Sequence, residues 1–309
     1  MAGMKIAILG SGGVGGYYGA LLASCGNDVT FIARGAHLAA MREHGLQVES
    51  VHGDLHLAPV QATDDPARVG PVDLVLVTVK TYDLEQAAQA ALPLVGPNTA
   101  VLPLLNGLDA AERLAAVLGD GSVLGGMTHI SSSVAAPGVI RQVSPLRRVT
   151  LGECDGAITA RAEAVRDVLA ATGAEVALTP RIDVALWEKF LFIASIGGIC
   201  CLSRQPMGPV LATAETRQLY TEALLEIEAL ARARGVDLPA GAVENALQIT
   251  AGFAPDTKPS MLADLEAGRR LELEAMSGTV VRYGRETGVP TPVHWAVYAA
   301  LKPTAAGAA

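Results

Sequence analysis

The chain has little of the positive charge that a nucleic-acid or anionic-membrane partner would demand. Lys and Arg number 23 against 31 Asp and Glu, a formal charge of −8 over 309 residues, so polyanions are not expected as main partners. A phosphorylated small molecule stays admissible, because local geometry can outweigh net charge. Cysteine is scarce too. Cys25, Cys154, Cys200 and Cys201 form no C-x-x-C pair and two are adjacent, which argues against a disulfide framework and for reduced thiols. His52 and His56 are four apart, but "VHGDLHLAP" alternates and contains Gly53. That suits a hairpin better than a zinc-binding helix, and no metal site is expected. Long hydrophobic runs are missing as well. The longest, Phe190 to Leu202, contains Gly197 and Gly198 and falls short of the roughly 17–25 residues that span a bilayer. "MAGMKIAILGSGG" enters a strand at once, without the regions of a signal peptide. These absences lead to the expectation of a soluble, cytoplasmic protein with no membrane or nucleic-acid partner.

What is present is apolar. Half the residues are hydrophobic and 17% are charged, enough for two domains of usual size. In the first half, strand-like "KIAILG", "DVTFIAR", "LVLVTVK" and "AVLPLLNG" alternate with helical "GGYYGALLASCG", "LEQAAQAALPLV" and "DAAERLAAVLG". Such alternation implies a parallel sheet with helices on its faces. From Val123 to Glu153 the pattern changes. "VAAPGVIRQV" and "RRVTLGE" read as short antiparallel strands around an Ala-Pro-Gly turn, followed by a helix in "ARAEAVRDVLAAT". From Arg181 on no strand pattern is found, and long helical patterns include "TAETRQLYTEALLEIEALARARG" and "RRLELEAMSGTVVRYGRETG". The terminal "TAAGAA" is expected to fray.

"GSGGVGG" places Gly10, Gly12 and Gly15 in G-x-G-x-x-G spacing, directly after a strand and opening a helix. In that context Gly10 would make the tight turn, Gly12 would admit a pyrophosphate, and Gly15 would let helix and strand pack closely. The loop Gly10, Ser11, Gly12, Gly13, Val14 and Gly15 is therefore the candidate cofactor cradle, with phosphate on the helix N-terminus. The expected fold is α/β, with a Rossmann-type doubly wound domain over 1–180 and an all-helical substrate domain over 181–309.

The second strand ends in Ala33 and Arg34, and no acid follows until Glu43. A ribose 2′-hydroxyl reader would be Asp or Glu, whereas Arg34 suits a 2′-phosphate. The expected cofactor is NADP(H). Lys80 and Asn106 follow predicted parallel strands, at the edge where such sheets bind ligands, and are assigned to cofactor and substrate together. The plain alternatives are a surface lysine and a turn residue before Gly107.

In "ALWEKFLFIASIGGICC" a helix would put Lys189 on one face with Phe192, Ile193, Ile196 and Gly197. Its ammonium either snorkels outward or lies in a cleft between domains, where desolvation would make it a better acid near neutral pH. Ser260 reads as an N-cap before "MLADLEA". Glu272 is expected to begin the next helix, on a buried face with Ala275, Met276 and Thr279, while Glu274 looks exposed.

Taken in order, "ILGSGGVGG", "LVTVK", "LLNG", "GGMTH", "LWEKF", "PSMLADLEAGRRLELEAMSG" and "GVPTP" resemble the ketopantoate reductase (2-dehydropantoate 2-reductase) family over nearly the whole chain. The resemblance implies NADPH-dependent reduction of 2-dehydropantoate to (R)-pantoate in pantothenate synthesis. It also implies that Lys189 is the catalytic lysine, that Glu272 hydrogen-bonds the reacting oxygen, and that Ser260 contacts the substrate carboxylate. Lys80 and Asn106 match residues at the junction of cofactor and substrate, and Arg34 the arginine favouring the 2′-phosphate. One departure stands out. The family's asparagines one and two turns after the lysine are replaced by Ile193 and Gly197, which leaves the 2-oxo acid open. A relative acting on a more apolar 2-oxo acid or ketone is the first rival reading, and a non-catalytic NADP(H)-binding regulator is the second. The apolar face of "LLEIEALARARG" fits either a homodimer contact or the core.

Overall fold

The computed structural model describes residues 3–307. The chain forms two compact units, one of residues 1–105 with 109–182 and the other of 106–108 with 183–309. The first runs β1 (Lys5–Leu9), α1 (Gly13–Ser24), β2 (Asp28–Ile32), α2 (Gly35–His44), β3 (Leu46–Ser50), β4 (Leu55–Leu57), β5 (Gln61–Thr63), β6 (Leu74–Val77), α3 (Leu84–Ala91), β7 (Ala100–Pro103) and α4 (Ala110–Leu118). It continues with β8 (Gly125–His129), β9 (Ser132–Ala136), β10 (Val139–Gln142), β11 (Arg148–Gly152), α5 (Ala160–Ala170) and β12 (Glu175–Leu178).

Its main sheet has the order β5-β2-β1-β6-β7, with every neighbour parallel. The strands are apolar on both faces because both faces are covered. Ile6 and Ile8 point into one core with Tyr17 and Tyr18 of α1, while Ala7 and Leu9 point into the other with Leu84 and Ala88 of α3, the period-2 alternation of a strand. Chain direction reverses its winding at β1 and β6. That is the switch point at which open α/β sheets bind ligands.

His52 and His56 fall on the β3–β4 hairpin, and their Nε2–H groups donate to the Pro145 (3.0 Å) and His44 (2.8 Å) carbonyls respectively. β9 and β10 pair antiparallel across Pro137 and Gly138, as expected, but "RRVTLGE" does not join them. β11 lies in a separate three-stranded sheet, antiparallel to β8 and parallel to β12. Alternation marks a strand without naming its partner, so the sequence pattern carried no information on that pairing.

The second unit contains α6 (Ile182–Ser203), α7 (Met207–Ala212), α8 (Ala214–Ala233), α9 (Ala242–Ala251), α10 (Ser260–Glu266), α11 (Thr279–Thr287) and α12 (Pro292–Leu301). α6 is its spine: Phe190, Leu191, Ala194, Ile196, Ile199, Cys200 and Cys201 are buried against Tyr220, Leu224 and Ile227 of α8 and Val297 of α12. The apolar run belongs to a helix of 22 residues, longer than the run itself. Among the described residues α6 is the one helix long and apolar enough to cross a membrane by length and composition. Two thirds of that stretch is buried inside the protein, as in the core helix of a globular unit.

Two further expectations change. "RRLELEAMSGTVVRYGRETG" is not one helix, because Arg269–Glu272 is irregular and Glu274–Gly278 forms a π turn before α11. "TAAGAA" is held as far as Gly307, with the Leu271 amide donating to Ala305 (2.9 Å) and the Gly307 amide to Thr304 (3.1 Å). Its last two residues lie outside the described residues.

Candidate active site

In the first unit the glycine loop joins β1 to α1. Gly10 has φ +101°, and a side chain there would strike the Val79 amide at 2.7 Å. A Cβ on Gly15 would meet the Gly10 carbonyl and the Thr78 hydroxyl at 2.3 Å, so helix and strand touch through backbone. Gly12, the residue before α1, has nothing within 4 Å of that position. The loop is thus closed on the sheet side and open where an anion would approach the unpaired N–H groups of the helix start. Val14 is half-buried in the first turn of α1, and Gly13 abuts the Ser132 carbonyl. Ser11 is buried and donates its hydroxyl to the Ile32 carbonyl (3.0 Å), bracing the loop against β2. Thr78 donates to the Gly10 carbonyl (2.6 Å) from the far side.

Arg34 caps the start of α2, exposed, with Nη1 donating to Oε1 of Gln86 at 3.4 Å. Lys80 is half-buried just beyond β6, at the start of a 3₁₀ turn over Thr81–Asp83. A brace that sequence reasoning missed fixes this turn. Arg113 of α4 donates to the Thr81 carbonyl (2.9 Å), to Glu85 (2.8 Å) and to Asp109 (3.4 Å). Arginine in an exposed-looking helix gives no sequence signal of such a tertiary role.

In the second unit the structure brings Lys189, Asn106 and Glu272 together. The Lys189 Nζ donates to Oδ1 of Asn106 at 3.0 Å, so this lysine does not snorkel to water. Burial lowers its ammonium from 10.5 to about 8, while the Glu272 carboxylate acts in the opposite direction. Glu272 is 7% exposed. It does not begin a helix; it lies two residues before the π turn, in which the Gly278 amide bonds the Leu273 carbonyl (2.9 Å). π turns recur at functional sites because they re-aim neighbouring side chains. Ala275, Met276 and Thr279 are buried and Glu274 is exposed, as its face predicted.

Ser260 is exposed at the first position of α10, and Pro259 occupies the cap position, so Ser260 is not the N-cap. Its neighbour Met261 is buried and reaches toward Gly197 of α6. His294, fully buried, is pushed down to about 4 by desolvation and is neutral, held by Ser277 (3.3 Å) and the Ala223 carbonyl (3.2 Å). It is a packing residue. Lys189, by contrast, keeps its proton at neutral pH, its ammonium being lowered only to about 8.

The model of the family described as Ketopantoate reductase PanE/ApbA matches residues 6–156, and that of its C-terminal part matches 181–305. An uncharacterised oxidoreductase of Bacillus subtilis (strain 168), YkpB, is 32% identical and covers 97% of this chain and 98% of its own. The 2-dehydropantoate 2-reductase of Mesorhizobium japonicum is 32% identical over 97% of each chain. The crystal structure of 2-dehydropantoate 2-reductase from Geobacter metallireducens GS-15 superposes with a TM-score of 0.92 at 34% identity, covering 97% of this chain and 99% of that one. With the glycine loop at the switch point of a parallel sheet, and a helical unit that matches the family's own C-terminal part, the chain belongs to the ketopantoate reductase family of oxidoreductases.

Proposed function

We propose that the protein reduces a 2-oxo acid to the 2-hydroxy acid with NADPH. The observation that carries this reading is the buried Lys189 ammonium, lowered to about 8 and held by Asn106 beside Glu272. The residues that would hold the cofactor are the loop Gly10–Gly15, with Arg34 at its 2′-phosphate and Lys80 and Asn106 toward its reactive end. The open backbone at Gly12 and the exposed guanidinium of Arg34 fit that group. When bound, the reduced nicotinamide supplies a hydride to the carbonyl carbon.

The chain's own residues supply the rest. Lys189 gives a proton to the oxygen as negative charge develops there, becomes a neutral amine, and is reprotonated from solvent. Asn106 fixes the direction of Nζ, and Glu272 keeps the ammonium charged until the transfer. Ser260 contacts the substrate carboxylate. Such positioned acid catalysis contributes about 10²–10⁴-fold. The names of the relatives offer 2-dehydropantoate as the first substrate to try, which would yield pantoate for pantothenate synthesis. The test is a spectrophotometric assay of NADPH oxidation with a panel of 2-oxo acids. Oxidation by any of them, lost in Lys189→Ala, is the expected result, and saturable NADPH binding with no turnover of the panel would leave a non-catalytic regulator instead.

A further inference from the structure

The reading of Lys189 as the acid for a 2-oxo acid fixes one end of the substrate, and the surface beyond that lysine describes the other. α6 repeats on one side every three to four residues, so Phe192, Ile193 and Gly197 continue the face that Lys189 begins. Gly197 is buried, yet a Cβ built on it would have a single neighbour within 4 Å, the terminal methyl of Met261 at 3.8 Å. Room for a side chain has been left at a buried position, and its wall is a methyl group. Phe192 lies on the other flank of the lysine's face, with its ring stacked on Phe253 at 5.8 Å and 3°. Met261 directly follows Ser260, the proposed carboxylate contact, so head and tail contacts come from successive residues at the start of α10.

Beyond Lys189 itself, no polar side chain joins this surface from α6. The hydroxyl of Ser195 is buried and unpartnered, but it lies two positions from Gly197 and therefore ~160° around the helix from it. A hydroxyl carried on the substrate's tail would be stripped of water here without gaining a partner from this face.

On the reading that this site reduces 2-oxo acids, we infer that its substrate has a branched or aromatic hydrocarbon side chain, lodged against Ile193, Gly197 and Met261. The hydroxylated tail of 2-dehydropantoate is disfavoured. An apolar pocket rejects an analogue that adds one hydroxyl by a factor of about 10–100.

The test compares trimethylpyruvate with 2-dehydropantoate, which differ by that hydroxyl alone, in NADPH-dependent initial rates. The expected kcat/KM is higher for trimethylpyruvate by about 10–100-fold, and phenylpyruvate is also reduced. Ile193→Asn should narrow the ratio between the hydroxylated and plain substrates, and Gly197→Leu, which fills the gap, should lower phenylpyruvate use relative to trimethylpyruvate. Equal or better use of 2-dehydropantoate by the unmodified protein, or ratios unmoved in both variants, overturns the inference while leaving 2-oxo acid reduction intact. If no 2-oxo acid is reduced, the reductase reading fails instead. Calorimetric titration of the same two acids onto the NADP⁺-saturated protein then decides the pocket: tighter binding of trimethylpyruvate upholds it, and equal binding overturns it.

Discussion

Lys189 and Asn106 lie 83 positions apart in sequence and are joined by a 3.0 Å hydrogen bond from ammonium to side-chain carbonyl. The bond holds a desolvated cation in one direction, on a helix whose other faces are packed with apolar side chains. A long, flexible lysine is thereby made into a directed donor.

Replacing Lys189 by Ala should therefore lower kcat by about 10²–10⁴-fold, with NADPH affinity largely kept because the glycine loop is untouched. Steady-state rates with fluorescence titration of NADPH check both halves. Near-normal turnover in this variant would remove Lys189 from the mechanism.

The rate of reduction should fall as pH rises through about 8, where Lys189 loses its proton. Glu272 raises that value, so Glu272→Gln should move the basic limb of the pH–rate profile to lower pH, with lower kcat and altered KM. Linkage gives the sign for stability. The folded lysine titrates below its ordinary 10.5, so between about 8 and 10.5 the unfolded chain binds more protons and stability rises with pH. Below that window the cost of the buried charge is fully present. Chemical denaturation of Lys189→Met across this range should lack the rise that Lys189 contributes.

Arg34→Ala should cut the preference for NADPH over NADH by about 10–100-fold, the worth of a charge-assisted contact of ~1.5–3 kcal/mol. Competition of the two cofactors at fixed substrate measures this ratio. An unchanged preference would place the 2′-phosphate elsewhere.

Glu226 of α8 accepts the backbone amides of Val293 (2.7 Å) and His294 (3.0 Å), closing the N-terminus of α12 from another helix. Glu226→Ala leaves both buried donors unpaired and should cost about 1–3 kcal/mol for each lost acceptor at most. Urea unfolding, with the m-value unchanged, is the check. Glu226→Gln should recover part of the loss through its carbonyl oxygen.

The strands of the parallel sheet were legible because burial on both faces demands continuous β-branched runs such as "LVLVTV". The glycine loop was legible because each glycine is forced by a steric fact: positive φ at Gly10, backbone contact at Gly15. The pairing of β11 and the break before the π turn were not. Strand partners depend on long-range register, and "RRLELE" has helical composition while the Leu271 amide is drawn to the Ala305 carbonyl instead.

The sequence by itself thus determined the family and the strand–loop–helix of a dinucleotide-binding fold, and it named the residues of the candidate site, since these rest on local pattern and spacing. Only the tertiary structure decided that Lys189 is half-buried with its ammonium desolvated and bonded to Asn106, and that Gly197 faces a gap walled by Met261. The reason is physical. Desolvation and directed hydrogen bonds arise between segments far apart in the chain, and no local pattern records which of them will meet.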